Sequence, residues 1–489
     1  MASRDLAEKG QRKLQTRMAS CGACSTAAVT AHGDLWMCGT FGSAALSLPS
    51  RLIGAAETGS RVVAADCGLR IVAAVLADGT VLQWGEGECE DAVYGNEVMM
   101  HAPVKLFCAS VAVMNVACGL RTTLAAVADG GVFSWGCGDR GQLGHGDRSD
   151  RSAPSRVCGF DGPVCRVAAG EVHSLASTPD GDMWSWGGGG NGQLGHGDES
   201  DRLEPALLPR DALGLGAVAV MAGGESHTVV ACQDGSLFAW GKAADGRLGL
   251  GKHVRDNQLE PVRVHLNDKA LQQLQRMTGN EAADGELEAP IFTEVACGSK
   301  HSLALTQGGV VFAWGRGASG RLGLRDRNTR YTPTPIDPGI FAAGAACLRD
   351  ASSTPYSDSS RMSGLGTAEG ICVPPVVSVA AGKAHSTAVL TDGSLWSWGR
   401  GSIAVNSGVC APAGLGHGDL DDRLAPSQVP GLPRLVTTLS VGGMALRRAH
   451  ALAFAMATHP RLGGASVCVA LTDDLVPRVI AAAGGVLSY

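Results

Sequence analysis

A Trp-Gly dipeptide that recurs about every 51 residues is the feature that most restricts what this chain of 489 residues can fold into. In the first unit Cys38 stands where the later units have tryptophan, so the chain contains seven units. The last gaps are longer, which indicates insertions. Repetition at this period is typical of solenoids and propellers. The anchoring tryptophans are Trp84, Trp135, Trp186, Trp240, Trp314 and Trp398.

Each unit has two short runs of alternating apolar residues that end at the Trp-Gly. In five units the runs are joined by Asp-Gly, which favours a type I′ hairpin because both central residues need positive φ. A second large apolar residue stands two positions before the anchor, on the same strand face. Short strands at even spacing, with aromatic residues once per unit, predict an all-β fold, a seven-bladed β-propeller. The turns are Asp78-Gly79, Asp129-Gly130, Asp180-Gly181, Asp234-Gly235 and Asp392-Gly393.

The glycine-rich stretch WGGGGNGQLGHGD, residues 186–198, could be a phosphate-binding loop, a metal site or a strand connection. Close variants follow other Trp-Gly dipeptides, whereas a catalytic loop is normally present once. No Gly-Lys-Ser/Thr follows, and each unit has one histidine and one aspartate, too few for a zinc site. We therefore interpret the stretch as architecture, with His145, His196 and His417 as repeat residues. Three aspartates and three arginines are expected to hold the crossover: Asp147, Asp198 and Asp419 with Arg151, Arg202 and Arg423.

Composition narrows the function classes. The net charge is −6, which gives no reason to expect direct nucleic-acid binding. The sequence has no apolar run of roughly 18 residues, so no membrane span is expected. The 16 cysteines follow an N-terminus that lacks a signal-peptide core, so we predict reduced thiols and an intracellular location, cytoplasmic or nuclear. Cys21 and Cys24 resemble a redox or zinc pair, but Cys21 aligns with a small-residue position of other units.

The predicted domain organisation is a single propeller with short tails. It comprises an N-terminal tail at 1–17, the propeller at 18–456 and a C-terminal tail at 457–489. Three insertions interrupt the repeat, at 253–292, 337–375 and 402–413. The first contains NDKALQQLQRM, which predicts a short helix, and the second is rich in Ser, Gly and Ala, which predicts a loop. Which terminus closes the ring is left open.

The combination of VAAGKAHSTAVLTDGSLWSWG, residues 379–399, with GQLGHGD resembles the regulator of chromosome condensation repeat. The resemblance covers about residues 18–456 and implies a seven-bladed propeller. The second and third units depart from it, because Ile71 and Thr122 replace the histidine of the Gly-x-x-His motif. Relatives include adaptors, parts of ubiquitin ligases and a nucleotide-exchange factor for the Ran GTPase, so the resemblance does not fix the function.

We predict a protein-interaction scaffold or adaptor, with a guanine-nucleotide exchange factor for a Ran-like small GTPase as the alternative. The expected partner is a protein, the chain is expected to be monomeric, and no cofactor, metal or catalytic residue is expected. The two residues after each repeat glycine should lie at turns on one face of the propeller. They hold no tryptophan, unlike those of the plant ultraviolet-B photoreceptor, so ultraviolet sensing of that kind is not expected. The candidate partner-binding face comprises Arg70, Arg121, Glu171, Glu225, Lys300 and Lys383.

Overall fold

The computed structural model describes residues 16–22, 24–41, 44–68, 71–85, 104–105, 113–209, 214, 216–278, 290–341, 374–404 and 410–432. These residues form seven four-stranded antiparallel sheets, each built from one contiguous stretch of chain. The predicted seven-bladed β-propeller is confirmed, and we number the sheets as blades 1 to 7. The described strands run from Thr16 to Gln428, so the predicted propeller end at residue 456 and the C-terminal tail lie outside the described residues.

The first four blades contain sixteen strands. Blade 1 has β1 (Thr16–Cys21), β2 (Ser25–Thr30), β3 (Leu35–Phe41) and β4 (Ala44–Ile53). Blade 2 has β5 (Val62–Cys67), β6 (Ile71–Leu76), β7 (Val81–Gly85) and β8 (Val104–Lys105). Blade 3 has β9 (Val113–Cys118), β10 (Thr122–Val127), β11 (Val132–Gly136) and β12 (Arg151–Val157). Blade 4 has β13 (Arg166–Ala169), β14 (His173–Ser177), β15 (Met183–Gly187) and β16 (Arg202–Leu207).

The last three blades carry the insertions. Blade 5 has β17 (Val218–Gly223), β18 (His227–Cys232), β19 (Leu237–Gly241) and β20 (Gln258–Arg263). Blade 6 has β21 (Phe292–Cys297), β22 (His301–Thr306), β23 (Val311–Gly315) and β24 (Arg330–Pro335). Blade 7 has β25 (Val376–Ala381), β26 (His385–Leu390), β27 (Leu395–Gly399) and β30 (Arg423–Gln428), with the hairpin β28 (Ser402–Ala404) and β29 (Cys410–Pro412) between its last two strands. The described residues also include the α-helices α1 (Ala55–Thr58) and α2 (Asp268–Thr278) and short 3-10 helices at Ala244–Gly246 and Ala318–Gly320.

The insertions differ in part from their predicted bounds. Strand β20 lies inside the predicted insertion 253–292, because the outer strand of blade 5 is formed by the repeat residues that follow the glycine-rich loop. The segment added to that blade follows Arg263 and contains α2, as the NDKALQQLQRM pattern predicts. The insertion 402–413 forms β28 and β29. Of the insertion 337–375, residues 342–373 lie outside the described residues.

The hairpins turn at the predicted Asp-Gly pairs, but the predicted type I′ geometry is wrong. Only the glycine has positive φ, and it follows the two central residues of the turn instead of being one of them. The glycine of Asp234-Gly235 has φ 83°, a conformation that other residues rarely adopt, and Asp234 accepts a hydrogen bond from the Ser236 amide at 2.9 Å. These turns bring the second and third strands of each blade into register, which places Trp240 opposite Thr228. Eight of the nine tryptophans are buried and Trp36 is half-buried. The tryptophan columns therefore form the core between neighbouring blades, as predicted.

Polar bonds repeat between neighbouring blades. The indole Nε1 of Trp314 in blade 6 donates to the carbonyl oxygen of Arg247 in blade 5 at 2.9 Å, and Ser302 Oγ donates to the same oxygen at 2.8 Å. The Ser302 hydroxyl also bonds His227 Nε2 of blade 5 at 2.9 Å. Related bonds join His173 to Thr228, His301 to Ser386 and His385 to Thr26. The last pair joins blade 7 to blade 1, so the same chemistry closes the ring.

Blades 2 and 3, which lack the repeat histidine, are joined by other polar side chains. Gln83 Oε1 accepts from Trp135 Nε1 at 2.6 Å, and Asp66 Oδ2 accepts from the Cys118 amide at 2.6 Å. Ile71 fills the first histidine position as a fully buried apolar residue. Blades 2 and 3 therefore still pack against each other, although different side chains form the hydrogen bonds between them.

A ring of seven glycines surrounds the propeller axis, one at the end of each first strand. A Cβ added to any of them would lie closer than 3.0 Å to the carbonyl oxygen of the corresponding glycine in the next blade. The blades pack so tightly here that only glycine fits. The ring closes, because the seventh glycine meets the first. Its members are Gly22, Gly68, Gly119, Gly170, Gly224, Gly298 and Gly382.

The predicted Asp-Arg pairs of the crossover are present and lie near the surface. Arg202 Nη2 contacts Asp198 Oδ2 at 2.6 Å, with 29% and 45% of the two side chains exposed. Arg151 pairs with Asp147 and Arg423 pairs with Asp419 in the same way. A fourth pair, Arg330 with Asp326, was not predicted.

Removing one of these pairs should have a small effect. Because the pair is partly solvated, we expect Asp198→Ala to lower the free energy of unfolding by about 1 kcal/mol or less, measured by urea denaturation. Asp198→Asn keeps an oxygen for the Ser200 amide, which Asp198 Oδ1 binds at 2.8 Å, and should cost less than the alanine variant. A loss of several kcal/mol for either variant would contradict this view of the pair.

Candidate functional site: the glycine face

One face of the propeller carries the turns that begin at the seven ring glycines, and we call it the glycine face. The loops between the third and fourth strands reach the same face, because antiparallel strands return there. The backbone shows this directly: the amide of Arg316 donates to the Lys300 carbonyl at 2.8 Å, and that of Arg400 donates to the Ala384 carbonyl at 3.0 Å. In blades 1 and 3 to 7, where the structure describes both segments, the turn is thus held by the loop of its own blade.

A central channel of about 370 Å³ opens along the propeller axis and is lined by the first strands of all seven blades. Glu171, Glu225 and Lys383 line it where the strands end. Arg121 and Lys300 stand one position further from their ring glycines and are not among the lining residues. The predicted candidates therefore occupy two adjacent positions of the turn, the first and the second after the ring glycine. The structure brings only the three at the first position together around the channel. Arg70 lies outside the described residues.

The turn residues of the glycine face carry charges of both signs. Burial raises the pKa of the Glu171 carboxyl, the neighbouring Glu225 raises it further, and Lys383 opposes the change. The charges of Glu225 and Lys383 therefore act on Glu171. Glu171 and Glu225 belong to blades 4 and 5, whereas Lys300 and Lys383 belong to blades 6 and 7. Such a surface is complementary to a protein partner that carries charges of both signs.

Sequence reasoning missed further basic residues on the same face. Lys242, Arg316 and Arg400 directly follow Trp-Gly, and their backbone amides bind the turns of blades 5, 6 and 7. Arg247 and Arg321 are buried in the next part of the same loops. The available signal was the comparison of units: Gly-Arg-Leu-Gly replaces Gly-Gln-Leu-Gly, and Trp-Gly-Lys or Trp-Gly-Arg replaces other variants.

Carboxylates inside the channel are used to join the blades. Glu294 Oε2 accepts from the Val379 amide at 2.9 Å, and Asp66 accepts from Ser20 Oγ and from the Cys118 amide. Burial raises the pKa of Asp66. In the described part of the chain no group of three or more His, Cys, Asp or Glu residues could hold a metal ion. The loop histidines also have structural contacts, as His196 Nε2 bonds Ser185 Oγ at 2.9 Å.

None of the helices that the structure describes combines the length and the apolar composition that crossing a bilayer requires.

Family models match most of the chain. The model described as RCC1-like domain matches residues 4–354, and the regulator of chromosome condensation (RCC1) repeat matches residues 376–402. The ultraviolet-B receptor UVR8 of Arabidopsis thaliana is 31% identical over 372 residues, which cover 73% of this chain and 77% of that protein.

Two solved structures show the same fold. Human WBSCR16 is 25% identical, with a TM-score of 0.60 over 79% of this chain and 86% of that chain. Prp20p from Saccharomyces cerevisiae, whose structure was described with its binding properties to Gsp1p and histones, is 22% identical, with a TM-score of 0.56. That likeness covers 76% of this chain and 81% of that chain.

Proposed function

Because the chain belongs to the RCC1 family, we propose that its propeller is a protein-interaction scaffold that binds a partner protein through the glycine face. The observation that carries this proposal is the set of charged turn residues of both signs on a rigid frame. Seven sheets hold the turns in place through the glycine ring and the histidine bonds, so the backbone that carries the charged side chains has a fixed position. A preformed surface loses little conformational freedom on binding.

A photocrosslinking experiment tests which face binds. A photoreactive amino acid is placed at Lys383 on the glycine face or at Gln307, an exposed residue of a hairpin turn on the opposite face. After irradiation in an extract of the source cells, we expect a discrete crosslinked protein from position 383 and none from position 307. Charge reversal of Glu171 and Glu225 together should then reduce the yield at least fivefold. Equal crosslinking from the two positions would refute binding through the glycine face.

Guanine-nucleotide exchange on a Ran-like small GTPase is the second candidate. It is favoured by the fold likeness to Prp20p, which was described with binding properties to Gsp1p. Exchange needs a surface that binds the nucleotide-free GTPase more tightly than the loaded one, which a rigid charged face could provide. No covalent bond is broken in the process, so it requires no catalytic constellation.

The exchange hypothesis is tested by release of fluorescent GDP. Ran and a panel of small GTPases are loaded, and the purified chain is added at one-hundredth of the GTPase concentration. An exchange factor would accelerate release at least tenfold on one GTPase, and Lys300→Glu with Lys383→Glu would reduce the acceleration. The matched Gln307→Glu variant would leave it unchanged. A flat signal beside a working exchange factor would remove this function for the GTPases in the panel.

A further inference from the structure

Arg321 is a buried arginine on the glycine face, and its surroundings differ from those of its counterpart in the neighbouring blade. Only 7% of its surface is exposed. Its Nε donates to the Ala318 carbonyl at 3.0 Å and its Nη1 to the Lys383 carbonyl of blade 7 at 3.2 Å. Both acceptors are neutral, so these bonds orient the guanidinium without balancing its charge.

The counterpart in blade 5, Arg247, has a carboxylate partner. It makes the corresponding bonds to the Ala244 and Ser299 carbonyls, and its Nη2 also contacts Asp245 Oδ2 at 3.2 Å. In blade 6 the position of Asp245 is taken by Ser319, with φ 61° where Asp245 has φ 62°. The two loops therefore share a backbone conformation, and blade 6 lacks the acidic residue. Within the described residues Arg321 has no ion-pair partner.

Two further arginines, Arg316 and Arg400, lie near enough to act on the charge of Arg321, and Lys383 lies in the turn that Arg321 binds. Arg316 and Arg400 follow the Trp-Gly of blades 6 and 7, and Lys383 supplies the carbonyl that Arg321 binds. Lys383 and Arg400 are exposed, and Arg316 is half-buried. Among the described residues these three side chains form no ion pair. We call Arg316, Arg321, Lys383 and Arg400 the arginine cluster.

The electrostatic consequence is a lowered pKa of Arg321, to about 10, caused first by burial and then by Arg316 and Arg400. Asp245 and Asp422 oppose the change only weakly, and each has another partner. Asp245 contacts Arg247, while Asp422 contacts Arg327 at 3.5 Å and accepts from the Gly401 amide at 3.1 Å. A buried cation among like charges is costly unless an anion accompanies it.

We propose that the arginine cluster binds a short acidic segment of a partner protein, whose carboxylates supply the charge that Asp245 supplies in blade 5. The inference rests on the proposed scaffold function, because it names the chemistry of the partner at that face. The guanidinium of Arg321 takes one carboxylate in a low-dielectric setting, where charge-assisted bonds are strongest. Arg316, Lys383 and Arg400 attract the neighbouring acidic residues and add a salt-dependent contribution.

The chain itself offers matched variants for a test. Arg321→Gln places in blade 6 the residue that blades 3 and 4 have at this position, Gln142 and Gln193, so the fold is expected to tolerate it. Arg247→Gln is the control, because it removes another buried arginine, one that already has a carboxylate partner. Ser319→Asp introduces the internal carboxylate of blade 5. Lys383→Gln changes an exposed member of the cluster and carries little risk of misfolding.

Binding of a fluorescein-labelled peptide of eight glutamates is measured by fluorescence anisotropy, with an eight-glutamine peptide as the blank. Melting temperatures confirm that the variants are folded. We expect Arg321→Gln and Ser319→Asp each to raise the Kd at least fivefold and Lys383→Gln at least twofold. Arg247→Gln should change it less than twofold.

Equal weakening by Arg321→Gln and Arg247→Gln would overturn the inference, as would binding that no variant changes. Displacement of the peptide by inorganic phosphate or single-stranded RNA at lower concentrations than by unlabelled peptide would assign the cluster to a phosphate-bearing ligand, and would also overturn it. Failure here differs from failure of the proposed function. If the crosslinked partner at position 383 is retained by Arg321→Gln and Ser319→Asp, the glycine face binds a partner without the arginine cluster.

Discussion

Gly224→Ala is expected to lower the free energy of unfolding by about 3 kcal/mol, although it adds a single methyl group. The new Cβ would lie 2.7 Å from the carbonyl oxygen of Gly298 in the next blade and closer still to the His227 ring. Neither neighbour can move cheaply, because the carbonyl belongs to the glycine ring and His227 Nε2 is bonded to Ser302. The effect is steric, and it acts on the junction between blades 5 and 6.

Gly190→Ala is the matched control. Gly190 is exposed in the glycine-rich loop of blade 4, and a Cβ there would have no atom within 4 Å. Its substitution should change the free energy of unfolding by less than about 0.5 kcal/mol. The two variants are compared by chemical denaturation followed by tryptophan fluorescence, since the core tryptophans report on the blade junctions. If both alanines cost the same, tight packing is not what selects glycine in the ring.

The propeller is expected to lose stability on acidification, beginning below pH 6.5. Four buried histidines, His173, His227, His301 and His385, bond a Ser or Thr hydroxyl of the next blade through Nε2. Each hydroxyl donates its own hydrogen to a backbone carbonyl, as Ser302 does to Arg247, so the histidine must donate from Nε2. The Nδ1 atoms are buried without a partner in the described structure. Protonation of Nδ1 would therefore introduce a positive charge into the buried interface between blades.

The pKa values follow from this burial. It lowers the pKa of His173 and of His385 to about 4, and it lowers those of His227 and His301 well below the usual 6.5. Between pH 6.5 and about 4 the unfolded chain binds protons that the folded chain does not. The stabilisation is therefore complete above pH 6.5 and is lost as the pH falls, by about 2 kcal/mol per histidine at pH 5.

His173→Gln tests the linkage, because glutamine can still donate to Thr228 but does not titrate. Between pH 5 and 6.5 the slope of the unfolding free energy against pH should be smaller than in the parent chain, by the amount that corresponds to about one proton. His253→Gln, at an exposed position, serves as the control and should leave the slope unchanged. A slope that is unaltered by His173→Gln would show that this histidine is not a source of the acid sensitivity.

The sequence predicted most of the frame because the frame is repeated. Seven units, Asp-Gly turns and two tryptophan columns each recur often enough to indicate one blade. The structure confirms the units, the columns and the places of the turns, but not the type I′ geometry. The outer strand β20 was wrongly assigned to an insertion. The spacing between Trp240 and Trp314 shows that residues are inserted, but it does not show where in this segment they begin. The domain boundaries and the intracellular location stay predictions.

The candidate site was less predictable, because it depends on contacts between units. The glycine pattern located the turns, but the sequence does not show that Glu171 lines the channel while Lys300 stands beside it. Nor does it show that Arg321 reaches the Lys383 carbonyl, 62 residues further along the chain. Comparing units position by position reveals the missing aspartate at Ser319. Its meaning appears only when the loops are seen to share one conformation.

Since each described sheet is one contiguous segment, the chain itself crosses only the junctions between successive blades. In the described part of the molecule, the junction of blade 7 with blade 1 relies on contacts such as His385 with Thr26 and Thr387 with Cys21. It is the seam at which a stretched ring would part first. The same arrangement allows the chain to begin at a different blade while the order of the blades around the ring is kept. New termini placed between any two neighbouring blades would move the seam and leave every sheet whole.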